Sequence, residues 1–549
     1  MPLSCRRLIT VEFPIVVALG MALLVSACFV PRQSAAADRE SPAQAGKSPP
    51  SERAGKPKRP LTISKQTTYL VEPLDRDGYV DYLAALNHSD SRGVTPENNA
   101  GILLARATGT SELTPEERTR FYQLLGIEPL PEQRLYVTDF RDFVQQKLRL
   151  PWTNKEDTDF DRSMHEPWSR RDLPLVAEWL KANEKPLGLV VAATRRTACY
   201  LPLVEPKQPG LFGIQFPCLN GSRNAARLLV ARAMLHIGER KIAEAEEDLL
   251  ACHRLGRLYG RTPFMIPALV AIAIDSTARQ GDVQLMESGG LSAAGALAYQ
   301  QQLRQLAPFP SMATVIGTSE RYMFLDTVSQ LARERVAPAD ALGLLGSFFS
   351  KPVEKAFSHR SAINWNDALV FGNAQFDKAV AAAGQPTVPQ RNKALEQLDR
   401  ELSKMASELK DPKKFTASFV AAVAHRDLGR LMGKMLTVML MPALEAALEA
   451  ENRAHTRESL GQLGFALAAY HADHDGYPDS LNALAPQYIS RLPHDLYTEG
   501  PLHYRREGAG CLLYSVGANG VDDGGRTFHS QPQGDDIVIR LADKLHLKP

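Results

Sequence analysis

The sequence predicts a mainly α-helical protein that ends in a small α+β domain. Aromatic residues make up only 7% of the 549-residue chain, while alanine and leucine are abundant, and this composition favours helices over a β-sandwich. Apolar residues recur every three to four positions in 222–259 and in 442–470, as in amphipathic helices. Alternating apolar and polar residues, which indicate strands, are clearest after residue 500. A chain of this length predicts roughly two to four domains.

The first segment, residues 1–30, predicts an export signal or a membrane anchor. Two arginines precede an uncharged run at 13–30, the order of charges in a signal sequence. Three fates remain open: lipidation of Cys28, cleavage after Ala37, or retention as a membrane anchor. Each fate places the remainder outside the cytoplasm, so we expect a lipoprotein, a periplasmic protein or a membrane-anchored protein of the bacterial cell envelope.

Composition divides the next 400 residues into three parts. Residues 31–61 are rich in proline, serine and lysine and predict a disordered linker. Residues 62–190 alternate short helical patterns with proline and glycine breaks and predict a small, mostly helical domain. Residues 191–430 predict a helical domain, an irregular bundle in which two helices joined near Gly238 resemble a tetratricopeptide hairpin.

Three helices of the small helical domain have predicted ends. Thr95 and Thr114 each precede a proline, which suits an N-cap followed by proline at the first helical position. Asp172 is the predicted N-cap of the third helix, and Gly126 is the predicted end of the second.

The last predicted domain spans residues 431–549. Its first apolar stretch, 431–442, is too short to cross a membrane and is expected in the core. A long helix is predicted from Pro442 to about Tyr470. A short antiparallel sheet is predicted from the segments LHYRRE, GCLLYSV and DDIVIRL.

The segment DHDGYPDSLNAL at 473–484 contains residue types found in calcium loops, and eight of its twelve positions recur in DRDGYVDYLAAL near the other end. It does not fit an EF-hand, because His471 and Asn482 occupy the positions of the first ligand and the bidentate glutamate. We expect a turn in which Gly476 adopts a positive φ and ends one helix, while Pro478 begins the next. The related segment is expected to form the same turn.

Searches for catalytic motifs find none. No nucleophile elbow, zinc-protease helix, phosphate loop or dinucleotide fingerprint occurs. His471 and His474 are spaced to share a zinc ion, although a favourable charge at a helix end is the simpler interpretation. The formal net charge is +2, which gives no reason to expect nucleic-acid binding. We therefore expect a protein that is not an enzyme.

Four cysteines remain after the signal region. Cys199 and Cys218 flank a loop rich in proline and glycine, which a disulfide would close in an oxidising compartment. The alternative is that all four are small apolar side chains of the core. No Cys-x-x-Cys pair occurs, so structural zinc is not predicted.

A series of spaced motifs follows the long helix: an Asp-Gly turn, Tyr-Pro, a leucine-rich short helix, Leu-Pro-x-Asp, a tyrosine-bearing strand, Tyr-Ser-x-Gly and a closing acidic pair. The residues are Tyr470, Asp475, Gly476, Tyr477, Pro478, Leu481, Leu484, Leu492, Pro493, Asp495, Tyr504, Tyr514, Ser515, Gly517, Gly520, Asp535 and Asp536. Over about 100 residues the chain thus resembles the C-terminal globular part of the type II secretion system major pseudopilin, protein G. The resemblance implies a pseudopilin-like α+β fold.

The remainder of the chain departs from that family. No prepilin-peptidase site precedes its apolar N-terminal segment, and some 400 residues come before the matching part. Polymerisation as a pseudopilus subunit is therefore not expected. The whole chain also resembles uncharacterised bacterial envelope proteins, and that resemblance implies no activity.

The resemblance also implies a calcium site. In the pseudopilin family the Tyr-Ser-x-Gly loop and later acidic residues surround Ca²⁺, and oxygen ligands in a glycine-rich loop suit this ion. An asparagine here replaces one family aspartate, and two further aspartates restore the charge. The alternative is a turn with exposed aspartates and no metal. The implied ligands are Ser515, Asn519, Asp522, Asp523, Asp535 and Asp536.

Together these observations predict an exported, envelope-associated protein with an interaction or secretion-accessory role. Its expected partners are envelope or secretion-machinery proteins, and its expected membrane contact is the N-terminus. A periplasmic metal-dependent hydrolase with an unrecognised site and a helical-repeat scaffold are the alternatives. A fold can serve many functions, so the choice among them depends on the site.

Overall fold

The computed structural model describes most of the chain after residue 59. The expected signal or anchor, the lipidation site Cys28 and the linker up to residue 59 lie outside the described residues. The described ranges are 60–131, 135–207, 210–335, 363–441 and 444–542.

These ranges contain 16 α-helices and one small sheet, which confirms the predicted mainly α class. The helices are α1 (Tyr82–Asp90), α2 (Ala100–Thr108), α3 (Pro115–Leu125), α4 (Asn154–His165), α5 (Pro174–Ala182), α6 (Glu184–Thr194), α7 (Leu219–Gly238), α8 (Ile242–Tyr259), α9 (Met265–Met286), α10 (Ala293–Arg304), α11 (Arg321–Ala332), α12 (Trp365–Ala383), α13 (Val388–Lys410), α14 (Pro412–Ala424), α15 (Leu428–Leu440) and α16 (Leu444–His474). Single turns lie at Phe140–Asp142, Phe143–Lys147, Leu211–Gly213, Met312–Val315, Ile316–Glu320 and Leu481–Leu484. The strands are β1 (His503–Glu507), β2 (Gly510–Ser515) and β3 (Ile537–Leu541).

Several predicted helix ends are confirmed. Thr114 caps α3 in a reciprocal capping box with Glu117, and Gly126 ends that helix with φ 72°, as glycine at a left-handed C-terminal position should. The predicted break near Gly238 is also confirmed, because α7 ends at this residue and α8 begins at Ile242. Local sequence therefore determines these boundaries.

Two predicted N-caps are wrong. Helix α2 is capped by Asn99, and the Thr95 amide instead donates to the side chain of Asn98 in a preceding turn. Asp172 does not cap α5, because its carboxylate accepts hydrogen bonds from the amide and hydroxyl of Ser169. In both cases the capping residue type was present, but it closed a neighbouring turn.

At the end of α7, the backbone of Gly238 lies close to the backbone of Trp168. A Cβ added there would lie 2.1 Å from the Trp168 carbonyl oxygen. Backbone cannot move aside as a flexible side chain can, so we expect Gly238→Ala to lower the free energy of unfolding by about 1–3 kcal/mol. Gly188→Ala in α6 is the control, since nothing lies within 4 Å of its added Cβ. Urea denaturation measures both, and equal stability of the two variants would refute this packing.

A buried polar cluster connects α8, α9 and α10. His253 is 0% exposed, and its Nδ1 and Nε2 lie 2.7 and 3.1 Å from carboxylate oxygens of Asp275 and Asp282. Tyr299 donates its hydroxyl to the other oxygen of Asp282 at 3.0 Å. Burial alone would lower the pKa of His253, but the two carboxylates outweigh it and raise that pKa above its ordinary value. Both ring nitrogens are therefore donors, as in an imidazolium.

The same cluster extends to the long helix α16. Arg257 lies 3.3 Å from Asp275 and 3.7 Å from Glu458 of α16, and its guanidinium stacks 3.4 Å over the Phe309 ring. Arg279 lies 3.3 Å from Asp275. With the imidazolium, three cations face three carboxylates, so the cluster is neutral as a whole. A buried charge cluster of this kind tolerates few alternative arrangements, and it thereby positions α16 against helices α8 and α9.

The sheet is antiparallel in the order β1-β2-β3. Tyr514 of β2 pairs with His503 of β1, and Ser515 pairs with Ile537 of β3. After β3, the Ala542 amide donates to Glu287 just beyond α9 at 2.7 Å. The sheet is thus attached to the end of α9, and its strands β2 and β3 also pack against the long helix α16. The three predicted strands are confirmed.

The apolar stretch predicted for the core forms most of α15. Leu431, Met432, Met435 and Leu436 are buried, which confirms that expectation. By length and composition, the stretch Leu428–His474 contains a window apolar enough to cross a membrane, but 62% of that window is buried inside the fold. A core helix passes the same test, so we assign no membrane span here.

The turn after α16 differs from the predicted one. Asp475, and not Gly476, has the positive φ of 54°, which aspartate tolerates better than most residues. Pro478 does not begin a helix, because the next element is the single turn Leu481–Leu484. In the related segment it is the glycine, Gly78, that has the positive φ. The two similar sequences therefore form different turns.

Candidate metal centre

A 21-residue loop, 516–536, joins β2 to β3 and carries most of the predicted metal ligands. Four of its glycines have positive φ between 67° and 80°, which reverses the chain sharply at each point. At the first, Gly517, an added Cβ would lie 2.4 Å from the carbonyl oxygen of Asp535. The beginning and the end of the loop are therefore in backbone contact.

This contact brings three predicted ligands together. Asp523, Asp535 and Asp536 each offer a carboxylate oxygen, and these oxygens lie within 4.8 Å of one another. Within the described ranges, no other group of three or more histidine, cysteine, aspartate or glutamate side chains is placed to share an ion. The structure thus joins residues that are twelve positions apart in the sequence.

Backbone and amide donors hold these carboxylates in place. The Asn519 amide donates to Asp535 at 3.0 Å, and the Asn519 side chain donates to Asp523 at 3.2 Å. The Asp535 amide donates to Asp523 at 3.2 Å. Asn519 is therefore part of the same group. One oxygen, Oδ1 of Asp535, is buried without a hydrogen-bond partner.

Asp536 is the most buried member of the group. Its carboxylate accepts the amide of Gly525 at 2.7 Å and the amide of Asp523 at 3.4 Å. Burial raises the pKa of the Asp536 carboxyl, the two amides lower it, and nearby Asp523 and Asp522 raise it again, so the net shift is upward. A bound cation would offset this cost of keeping three carboxylates close together.

Two predicted ligands face other partners. Asp522 accepts the Tyr514 hydroxyl at 2.9 Å and the Gly524 amide at 2.8 Å. The backbone hydrogen bond from Gly524 is the main cause of the lowered pKa of Asp522. Ser515 is fully buried at the end of β2, where its hydroxyl accepts the Gly517 amide. The assembled ligands are therefore Asp523, Asp535 and Asp536. Asn519 holds two of them through its nitrogens, while its own Oδ1 accepts the Val521 amide at 2.6 Å.

The donor set of this group suits a hard cation. Its three carboxylates supply only oxygen ligands. Ca²⁺ prefers such oxygens in a flexible loop, whereas zinc prefers histidine and cysteine. The unpartnered Asp535 oxygen is a ready ligand, since a buried polar atom is costly without a partner. Carbonyls of the glycine turns and water would complete the six to eight oxygens that Ca²⁺ usually takes.

Asp495 positions this loop and is absent from the implied ligand set. It is 1% exposed, and its carboxylate accepts the amides of Tyr497 at 2.8 Å and Val516 at 3.1 Å. Val516 is the first residue of the acidic loop. The motif Leu-Pro-x-Asp indicated this residue, but nothing in the sequence indicated that it binds a backbone 21 residues later.

The alternative zinc pair is not assembled. The ring of His474 stacks on Tyr470 with centroids 4.0 Å apart, while the ring of His471 lies 4.6 Å from that of Tyr477. In the described part of the chain, no carboxylate cluster includes either histidine. The cysteines are also unpaired: all four outside the N-terminal region are free thiols, including Cys199 and Cys218.

Comparisons with known proteins add no relative. The chain matches no protein-family model, no curated protein and no solved structure. The assignment of function therefore depends on the residues and geometry described above.

Proposed function

We propose that this is an exported, envelope-associated protein without enzymatic activity, whose C-terminal α+β part binds calcium. Helices α1–α15 would hold the calcium-binding part in position for interaction with envelope proteins or with a secretion machinery. The uncharged N-terminal run supports export, and the spaced motifs between Tyr470 and Asp536 support a pseudopilin-like module.

The observation that carries the calcium proposal is the meeting of Asp523, Asp535 and Asp536. Three carboxylates within 4.8 Å of one another repel each other unless a cation or enough donors neutralise them. Backbone and amide donors and the Arg526 guanidinium, 3.2 Å from Asp523, compensate part of this repulsion. Asp535 still keeps one buried oxygen without a partner. A calcium ion would use that oxygen and relieve the repulsion at the same time.

Calcium bound in this loop would join its interior, through Asp523, to its end before strand β3, through Asp535 and Asp536. The ion would therefore stabilise the folded module and fix the surface that the loop presents. That role is structural, and it requires neither a nucleophile nor an open coordination position. Calcium would thus act structurally, by fixing a surface that partners recognise, and would take part in no chemical reaction.

The proposal predicts a calcium-dependent melting temperature for the full-length protein. A ligand at 100 times its Kd adds about 2.7 kcal/mol to stability when it binds only the folded state. We expect Ca²⁺ to raise the melting temperature above that in chelator, and Mg²⁺ or Zn²⁺ to raise it less. Asp535→Asn/Asp536→Asn should abolish the calcium effect.

Asp479→Asn is the matched control for this melt. Asp479 belongs to the same module but is 93% exposed, and its carboxylate pairs with Arg506 at the surface. This variant should respond to calcium as the wild type does. An identical melting temperature in calcium and in chelator for the wild type would exclude a calcium-binding module.

A further inference from the structure

A groove of about 750 Å³ lies between the long helix and the loop that leads into the sheet. One face of α16 forms its floor, since Asn452, His455, Ser459 and Gln462 are spaced three, four and three apart. The end of α10, the start of α13 and the loop 489–499 form its walls. Sites for small molecules in proteins are of this size.

Spare hydrogen-bond donors line this groove. Gln462 is only 9% exposed, and its Oε1 accepts Arg304 Nε at 2.7 Å. A guanidinium only donates, so this contact identifies the amide oxygen and leaves Nε2 as the donor. Among the described lining residues, Gln462 Nε2 and Arg391 Nε are buried without a hydrogen-bond partner, whereas no buried side-chain acceptor is. A ligand that offers acceptors would supply the partners that these two donors lack.

The charges around the groove favour an anion. Thr387 and Val388 line one wall, so the N-terminus of the 23-residue helix α13 lies there with its partial positive charge. Thr387 already caps the Gln390 amide and Pro389 has no N–H, so this end contributes mainly through its dipole. Arg304, Arg391 and Arg491 add three guanidinium groups. One nitrogen of Arg391 already contacts Glu451 at 3.3 Å and Asn452 at 2.8 Å, so its remaining nitrogens are the ones left for a ligand. A carboxylate or phosphate would accept from several of these donors at once.

The acidic residues of the groove are already committed or lie at its rim. Asp495 accepts two backbone amides and is buried. Glu458 is shared between Arg257 and His455 at 3.7 Å each. Burial alone would raise the pKa of Glu458, but His455 and the arginines outweigh it and lower that pKa. Glu499 is exposed at the edge. None of these three carboxylates accepts a hydrogen bond from Gln462 Nε2 or Arg391 Nε.

From these observations we infer that the groove binds a small organic ligand through an oxyanion, a carboxylate or a phosphate, held by Gln462, Arg304, Arg391 and the α13 N-terminus. This inference is separate from the calcium proposal, since no residue of the acidic triad lines the groove and Asp495, which lines it, is not among the proposed anion ligands.

The test compares melting temperatures of full-length protein in metal-free buffer at constant ionic strength. Succinate and inorganic phosphate replace chloride in separate titrations. We expect at least one to raise the wild-type melting temperature with a saturable dependence on concentration. A response to succinate alone assigns a carboxylate, a response to phosphate alone assigns a phosphate, and a response to both assigns the shared oxyanion chemistry.

Gln462→Glu is the sharpest variant. It keeps the shape and the acceptor for Arg304, but it replaces the free donor with a negative oxygen, so we expect at least about tenfold weaker anion binding. Arg540→Gln, on the far strand β3 with its side chain 58% exposed, should bind as the wild type does. The inference fails if neither anion acts on the wild type, or if Gln462→Glu responds as the wild type does.

Discussion

Asp275→Ala is expected to lower the free energy of unfolding by about 3–5 kcal/mol, because it breaks a buried charge cluster and leaves cations unpaired. Burial by itself would raise the pKa of Asp275, but Arg279, His253 and Arg257 hold it well below its usual range. That carboxylate contacts all three cations at 2.7–3.3 Å. Its removal leaves them facing only Asp282 and Glu458.

Asp275→Asn separates charge from shape in the same experiment. The amide fills the same volume, so a loss of stability comparable to that of the alanine variant would assign the effect to charge. Urea denaturation of both variants beside the wild type measures the difference. A loss below about 1 kcal/mol in Asp275→Ala would show that the cluster does not hold the helices together.

Asp495→Ala is expected to affect both stability and calcium binding. It leaves the buried amides of Tyr497 and Val516 without an acceptor, and each such group costs about 1–3 kcal/mol. The start of the acidic loop also loses its anchor. Groups that orient metal ligands typically contribute about 10–100-fold to metal affinity, and we expect a calcium loss in that range.

Asp495→Asn provides the graded comparison. The asparagine side chain has one amide oxygen, so it can replace the acceptor for only one of the two backbone amides, Tyr497 or Val516. Stability and calcium affinity should therefore both fall between those of the wild type and of the alanine variant. Chemical denaturation and calcium titration report the two quantities separately. Unchanged calcium affinity in Asp495→Ala would show that the loop holds its shape without this anchor.

Local signals in the sequence were sufficient for most of the secondary structure. The capping box at Thr114, the break near Gly238 and the three strands each depend on neighbouring residues, and they were predicted correctly. The wrong N-caps at Thr95 and Asp172 have a common cause. Short polar side chains close turns as readily as they cap helices, and the preceding chain decides between the two.

The buried charge cluster could not be derived from the sequence. Nothing in the sequence links His253 to its partners Asp275 and Asp282, which are 22 and 29 residues away. A signal was present: the charged residues of DSTARQGD fall in the middle of the otherwise apolar helix α9. Only the packing of α9 against α8 and α16 shows that these charges face inward.

The candidate metal centre was predicted in part. The resemblance to a pseudopilin named six ligands, and the structure brings the carboxylates of three of them together, with Asn519 donating hydrogen bonds to two of these. The sequence could not show that Asp522 and Ser515 have partners outside the acidic triad, because their orientation depends on Tyr514 and on the Gly517 turn. The groove on α16 was not predicted at all, since four distant segments form it.

Calorimetric titration of the full-length protein with Ca²⁺ tests the central claim most directly. We expect one calcium ion per chain in the wild type and in Asp479→Asn. Asp535→Asn/Asp536→Asn removes two of three carboxylates and should bind no measurable calcium. The absence of binding to the wild type, or equal binding to all three proteins, would contradict a calcium site in the loop between β2 and β3.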